Sequence, residues 1–134
     1  MQKIIITESQ KKILSNHANN EKPNESCAIL LGKVKGQKTT VSEIFLTKNI
    51  DESPMKFTIS NEQLIKCYKI AEEKKIEVVG IFHSHPNFVA YPSETDKKFM
   101  YSNPVVWVIY SGISDEFRAF VLEQDSLEID IDYD

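Results

Sequence analysis

Basic charge is what this chain most conspicuously lacks. Its 134 residues carry 16 lysines and arginines against 20 aspartates and glutamates, a formal net charge of -4. That balance gives no electrostatic footprint for nucleic acid or an anionic membrane surface. A basic protein or basic tail suits it better as a partner. Cysteine is nearly as scarce. Cys27 and Cys67 lie far apart with no C-x-x-C, which excludes a zinc knuckle or a redox pair and leaves two buried free thiols. Long apolar runs are missing as well. Only three isoleucines separate Lys3 from Thr7, too few for a signal segment, and nothing approaches a membrane span, so a cytoplasmic protein is expected. There is no internal repeat and no low-complexity tract. The length and the ordinary apolar and charged fractions, 41% and 27%, fit one domain over residues 1–134 with a real core.

What is present concentrates in GIFHSHPNFVAYPSETD, from Gly80 to Asp96. EVVGIFHSH runs apolar and β-branched into the histidines and reads as a buried strand that ends at Pro86, which cannot donate to a sheet ladder. Side chains alternate along a strand, so His83 and His85 point to one side at its C-terminal end. Pro92-Ser93-Glu94-Thr95-Asp96 reads as a helix start with Ser93 at the N-cap. Residues three apart share a helix face, so Ser93 and Asp96 look the same way.

Two imidazoles and a carboxylate make three metal ligands. A closed structural zinc site takes four protein ligands, whereas a catalytic one takes three and leaves the fourth position to water. Such a water needs a base to take its proton. Glu94, placed on the helix surface or just behind the site, is no obvious candidate, so the base has to come from elsewhere in the fold. Taken alone, Ser93-x-x-Asp96 is a capping pattern found at many helix starts. The two histidines upstream are what capping does not explain.

The remaining chain reads in order as a short strand KIII, a helix opened by Thr7-x-x-Gln10 with Ile13, Leu14 and His17 on one stripe, and a hairpin of SCAILLGKV and TTVSEIFLT turning at Lys35-Gly36-Gln37. His17 has no convergent donors near it and belongs to the helix surface or its boundary with the core. KNIDESPMKFTI, residues 48–59, is a polar loop. Ser60-x-x-Gln63 caps a helix through about Lys75, with Leu64, Ile65, Tyr68, Ile70 and Ala71 as its apolar side. Asn103-Pro104 breaks the helix after Asp96, VVWVIY is a central strand holding Trp107 in the core, EFRAFVLE an outer strand, and LEIDIDY a last edge strand whose acidic face discourages aggregation. The expected fold is one α/β domain, a curved mixed β-sheet flanked by about three helices.

His83-Ser84-His85-Pro86, six residues, then Ser93-x-x-Asp96 resembles the signature of the JAMM (MPN-plus) metallo-isopeptidases, H-S/T-H-P-x6-S-x-x-D. That family also carries a glutamate in a segment reading roughly P-x-E-x-C-G-x-L-x-G. Pro23-Asn24-Glu25-Ser26-Cys27-Ala28-Ile29-Leu30-Leu31-Gly32 is similar to it, with Ala28 where glycine is common. The resemblance implies an MPN/JAMM fold of cytidine-deaminase-like type, one Zn2+ held by His83, His85 and Asp96 with water as fourth ligand, Glu25 as catalytic base and Ser93 as a catalytic hydrogen-bond donor. It also implies a substrate amide after the C-terminal glycine of a ubiquitin-like or sulfur-carrier protein, cleaved from lysine or from an amino acid or peptide. Beside the cleft it implies a segment, Met55 to Thr58 here, that can pair with the substrate tail. Two readings compete: a non-catalytic scaffold of the same fold, and a DNA-repair-associated relative, against which the loop NFVAY and the acidic charge both argue.

Overall fold

A four-residue strand closes the sheet. In a computed structural model of the chain, which describes residues 2–134, β1 (Lys3–Ile6) pairs in parallel with both β3 (Lys38–Thr47) and β7 (Ser126–Tyr133). The other strands are β2 (Cys27–Lys35), β4 (Glu77–His85), β5 (Val106–Ser111) and β6 (Glu116–Leu122). Their order is β1-β3-β2-β4-β5-β6-β7, a closed barrel. The expected curved sheet therefore curls until its ends meet, and β6 and β7 are not outer strands. Closure is driven by burial, since Ile4 and Ile6 project into the core beside Leu30, Phe82, Val108 and Ile129. The acidic face of β7 is not a bare edge either. On the barrel exterior Lys3 pairs with Asp132 at 2.8 Å and Arg118 with Glu128 at 2.9 Å, as cross-strand neighbours do.

Three helices complete the fold: α1 (Glu8–Glu21), α2 (Asn61–Lys74) and α3 (Glu94–Ser102). Thr7 and Gln10 form the expected capping box, and Ser60 caps α2. The apolar stripes are narrower than the sequence reading. Leu14 and Ala18 face the core while Ile13 is exposed, and Cys67 and Ala71 are buried while Ile65 and Tyr68 face solvent. In both helices the fully buried pair is spaced i, i+4, and the neighbouring apolar residues fall outside the contact face. Leu14 and Ala18 join one face of the sheet, whereas Cys67 packs with Ile29 and Leu31, and Met100 of α3 with Ile81, Trp107 and Ile109, on the other. Both histidines of β4 lie on the α3 side. Among the described residues no helix is long and apolar enough to cross a membrane.

β4 and β5 are adjacent parallel strands joined through α3, and ligands favour the crevice at the carboxyl ends of such strands. β2 lies antiparallel on the other side of β4, with Cys27 opposite His83. This brings the start of β2, and hence Glu25, to the end of β4 where the histidines stand. A backbone irregularity at Leu31/Gly32 lets β2 follow β3 around the barrel. A Cβ on Gly32 would stand 1.9 Å from the Thr40 carbonyl oxygen. Gly32→Ala is accordingly expected to destabilise the fold by about 3 kcal/mol, read as a lowered urea midpoint; an unchanged midpoint would mean that the strands part there at no cost.

Candidate active site

Alternation along β4 does what the sequence predicts. His83 and His85 face the same way, their Nε2 atoms 3.1 Å apart, and Asp96 Oδ2 lies 3.1 Å from the first and 3.0 Å from the second. All three residues are buried. Asp96 reaches them because it is the N3 residue of α3. Its backbone N–H donates to Ser93 Oγ at 3.0 Å, while the Ser93 N–H donates to Asp96 Oδ2 at 2.9 Å. The capping box and the histidine cluster thus share one carboxylate oxygen. Ser93 is exposed, and its hydroxyl, accepting from Asp96, keeps its own proton free to donate.

The histidines are held from behind in different ways. His85 Nδ1 donates to the Val89 carbonyl at 2.8 Å, which leaves the Nε2 lone pair facing Asp96 and His83. His83 is fixed by packing. The Phe57 ring stacks on it at 4.8 Å and Trp107 meets it edge-on at 5.8 Å. Burial lowers the pKa of His83 against the pull of Asp96. Burial also opposes charge on His85, but hydrogen bonds to Asp96 and Val89, with the Asp96 charge, outweigh it and raise its pKa. In Asp96 burial is outweighed by both histidines and the Ser93 N–H, which hold its carboxyl far below the usual range.

Glu25 stands beside this cluster. It is 2% exposed, just ahead of β2. Ser26 is bonded to Ser84, the residue between the histidines, through the Ser26 N–H (2.8 Å) and hydroxyl (2.9 Å), both donating to Ser84 Oγ. Burial, with a smaller push from Asp96 and against His85, moves the Glu25 carboxyl up to about 8. Among the described residues, Glu25 Oε1 and His83 Nδ1 are the buried side-chain polar atoms without a partner. Orphaned buried polar atoms are rare enough to need a cause, and both lie here.

The donor set fits a metal ion. Two imidazole nitrogens and one carboxylate oxygen converging on a common point are, once both nitrogens are free of their protons, what a three-ligand hydrolytic centre uses. Donors bound at zinc's usual distances and tetrahedral angles stand about 3.3 Å apart, close to the 3.0–3.1 Å separations here. Other candidate residues stay outside. Glu94 faces solvent and pairs with Lys97, His17 is bonded to the Cys27 carbonyl at 3.0 Å, and Trp107 is core, 1% exposed. Sequence reasoning missed Asn49, and it gave no part in holding the site to Ser84 of the signature or to Phe57 of the 55–58 segment. Asn49 bonds to the carbonyls of Glu25 and Lys56, and no local pattern in a polar loop marks such a residue.

The elevated carboxyl has a measurable consequence in the metal-free protein. Folded Glu25 keeps its proton up to about 8, whereas an ordinary glutamate releases it near 4.5. The folded state binds the extra proton between those values, so its stabilising contribution is complete below the lower one and is lost as pH rises through the upper. Relative to Glu25→Gln, the metal-free wild type should lose a few kcal/mol of unfolding free energy between about pH 5 and pH 9. Parallel pH profiles of the two proteins in urea unfolding would refute a buried, protonated Glu25.

Comparison with known proteins places the chain. Residues 7–123 match the family of prokaryotic homologs of the JAB domain. The chain is 34% identical over 100 residues to the desampylase of Pyrococcus furiosus, a match covering 75% of this chain and 68% of that protein. It is 30% identical over 95 residues to the CysO-cysteine peptidase of Mycobacterium tuberculosis, covering 71% of this chain and 64% of the peptidase. The solution structure of protein DSY2949 from Desulfitobacterium hafniense superposes with a TM-score of 0.88 at 26% identity, over 98% of this chain and 92% of that one. The chain therefore belongs to the prokaryotic JAB-domain branch of the JAMM metallopeptidases.

Proposed function

We propose that this protein is a zinc-dependent isopeptidase that hydrolyses the amide after the C-terminal glycine of a ubiquitin-like or sulfur-carrier protein. The observation that carries the reading is the meeting of His83, His85 and Asp96 donor atoms within 3.1 Å of one another beside a buried carboxyl. A zinc ion held by these three would polarise the scissile carbonyl and bring the pKa of a bound water to about 7. Glu25 takes the proton of the attacking water and delivers it to the leaving amine, a role open to a buried carboxyl beside the donor cluster, whose ionised form a bound cation would favour. Asp96 stays ionised, and His85, its Nδ1 engaged by Val89, keeps its orientation. Phe57 and Trp107 exclude water from the far side of His83. The free hydroxyl proton of Ser93 is donated to the oxyanion that develops at the carbonyl. Ser93→Ala should lower kcat about a hundredfold and weaken the α3 cap by about 1 kcal/mol; unchanged kcat in steady-state assays would confine Ser93 to capping.

The substrate class rests on the relatives. The similarity to a desampylase and to a CysO-cysteine peptidase supports a ubiquitin-like or sulfur-carrier protein as the substrate. Release of an amino acid from a sulfur carrier is the second reading, favoured by the peptidase, and the same residues serve it. The test is to incubate zinc-loaded protein with lysine-linked conjugates of ubiquitin-like and sulfur-carrier proteins and with an amino-acid-capped carrier, beside Glu25→Gln and a chelated sample. Cleavage after the terminal glycine, absent from both controls, is the expected mass-spectrometric result. Cleavage that survives chelation, or none in the zinc-loaded protein, would count against the assignment, and the latter would favour a scaffold.

A further inference from the structure

We infer that Asn49 is the positioning residue of this site, one buried amide that fixes both the Glu25 backbone and the ring covering His83. The inference rests on the reading of Glu25 as base. Asn49 is 4% exposed, in the loop between β3 and α2, and its bonding capacity is fully used. Nδ2 donates to the carbonyls of Glu25 and Lys56, each at 3.0 Å, with a longer approach of 3.4 Å to Ser53. Oδ1 accepts from the N–H groups of Asp51 and Thr58, each at 3.1 Å. An amide offers two donors and two lone pairs, and all four are committed.

The placement of these partners carries the inference. Lys56 and Thr58 flank Phe57, so Asn49 grips the peptide on either side of the residue whose ring stacks on His83 at 4.8 Å. Glu25 is held at both backbone groups by the same loop, its N–H donating to the Ser53 carbonyl at 2.8 Å and its own carbonyl accepting from Asn49. The side chain has no equivalent anchor, for Glu25 Oε1 lacks any partner. Its aim toward the histidines is therefore set through the backbone. The metal-facing residues lie on β4 and α3 and are not among the hydrogen-bond partners of Asn49, so the two functions separate: ligands hold the ion, and Asn49 holds base and wall in register with it. A displacement of about 1 Å at such a point is enough to cost a hundredfold in rate.

The test uses the full-length chain with Asn49→Asp, which keeps the acceptor half of the amide and removes both donors, and the neutral Asn49→Ser in case a buried charge prevents folding. With Zn2+ alone as probe, both variants should bind one equivalent as the wild type does. The Glu25 amide should exchange with solvent at least about tenfold faster, and the His83 ring protons should lose the shielding of the stacked Phe57, while β4 and β5 amides stay protected. On whichever conjugate the wild type cleaves, kcat should fall about 10- to 100-fold. In Glu25→Gln the added Asn49 substitution should lower turnover by a smaller factor than it does in the wild type, because the part of its effect that runs through the base is already gone. Unaltered Glu25 exchange and His83 signals would overturn the inference, as would exchange rising uniformly over the barrel, or full kcat with a loosened Glu25. Full turnover in Glu25→Gln itself would instead remove the assignment of the base and leave the tethering measurement standing.

Discussion

Glu25→Gln is expected to bind a full equivalent of zinc and to turn over about a thousandfold more slowly than the wild type. Glutamine has nearly the shape of glutamate, and the Ser53 and Asn49 bonds that hold residue 25 are made by its backbone, so the position survives the change. What is lost is the capacity to accept a proton. Replacing a buried carboxyl that burial has pushed up to about 8 should not weaken the metal-free fold near neutral pH, and retained stability separates lost chemistry from lost structure. Metal analysis beside single-turnover kinetics makes the measurement. Zinc lost together with activity would make Glu25 a ligand, and wild-type turnover would place the base elsewhere.

Asp96→Ala should do more damage, because Asp96 Oδ2 serves two structures at once. It faces both histidine Nε2 atoms and accepts the Ser93 N–H. Alanine removes one of the three proposed ligands, so zinc retention and turnover should both fall below detection, and it also opens the capping box of α3 at a cost of about 1 kcal/mol. Asp96→Asn distinguishes the two. An asparagine oxygen can still cap the helix but carries no charge to hold a divalent cation, so this variant should keep stability and lose zinc. If Asp96→Asn stayed fully loaded after dialysis, the carboxylate would not be a ligand and the two histidines would be holding the ion with some other group.

The parts of this site that lie close in sequence are legible in the sequence itself. Two-residue alternation puts His83 and His85 together, the three-residue helical step puts Asp96 over Ser93, and Pro86 and Pro104 mark where their elements stop. Glu25 was different. Nothing within ten residues says that it faces the histidines, and only its resemblance to a family pattern connected segments nearly 60 positions apart. Closure of the barrel had no such signal. A strand exposed on one face alternates in the same way whether it sits at an edge or between neighbours, so β6 and β7 looked like outer strands, and the pairing of β1 with β7 joins opposite ends of the chain. Asn49 and Phe57 were hidden for a similar reason. Their importance lies in partners that a polar loop acquires only once β2 and β4 are side by side.

X-ray absorption at the zinc edge of the loaded protein tests the metal centre most directly. The expected spectrum reports one zinc per chain in a shell of nitrogen and oxygen at about 2.0–2.1 Å, two of the donors imidazoles, with the signal gone in Asp96→Asn. A sulfur shell near 2.3 Å, which would implicate Cys27 or Cys67, or a folded protein that retains no zinc, would contradict it.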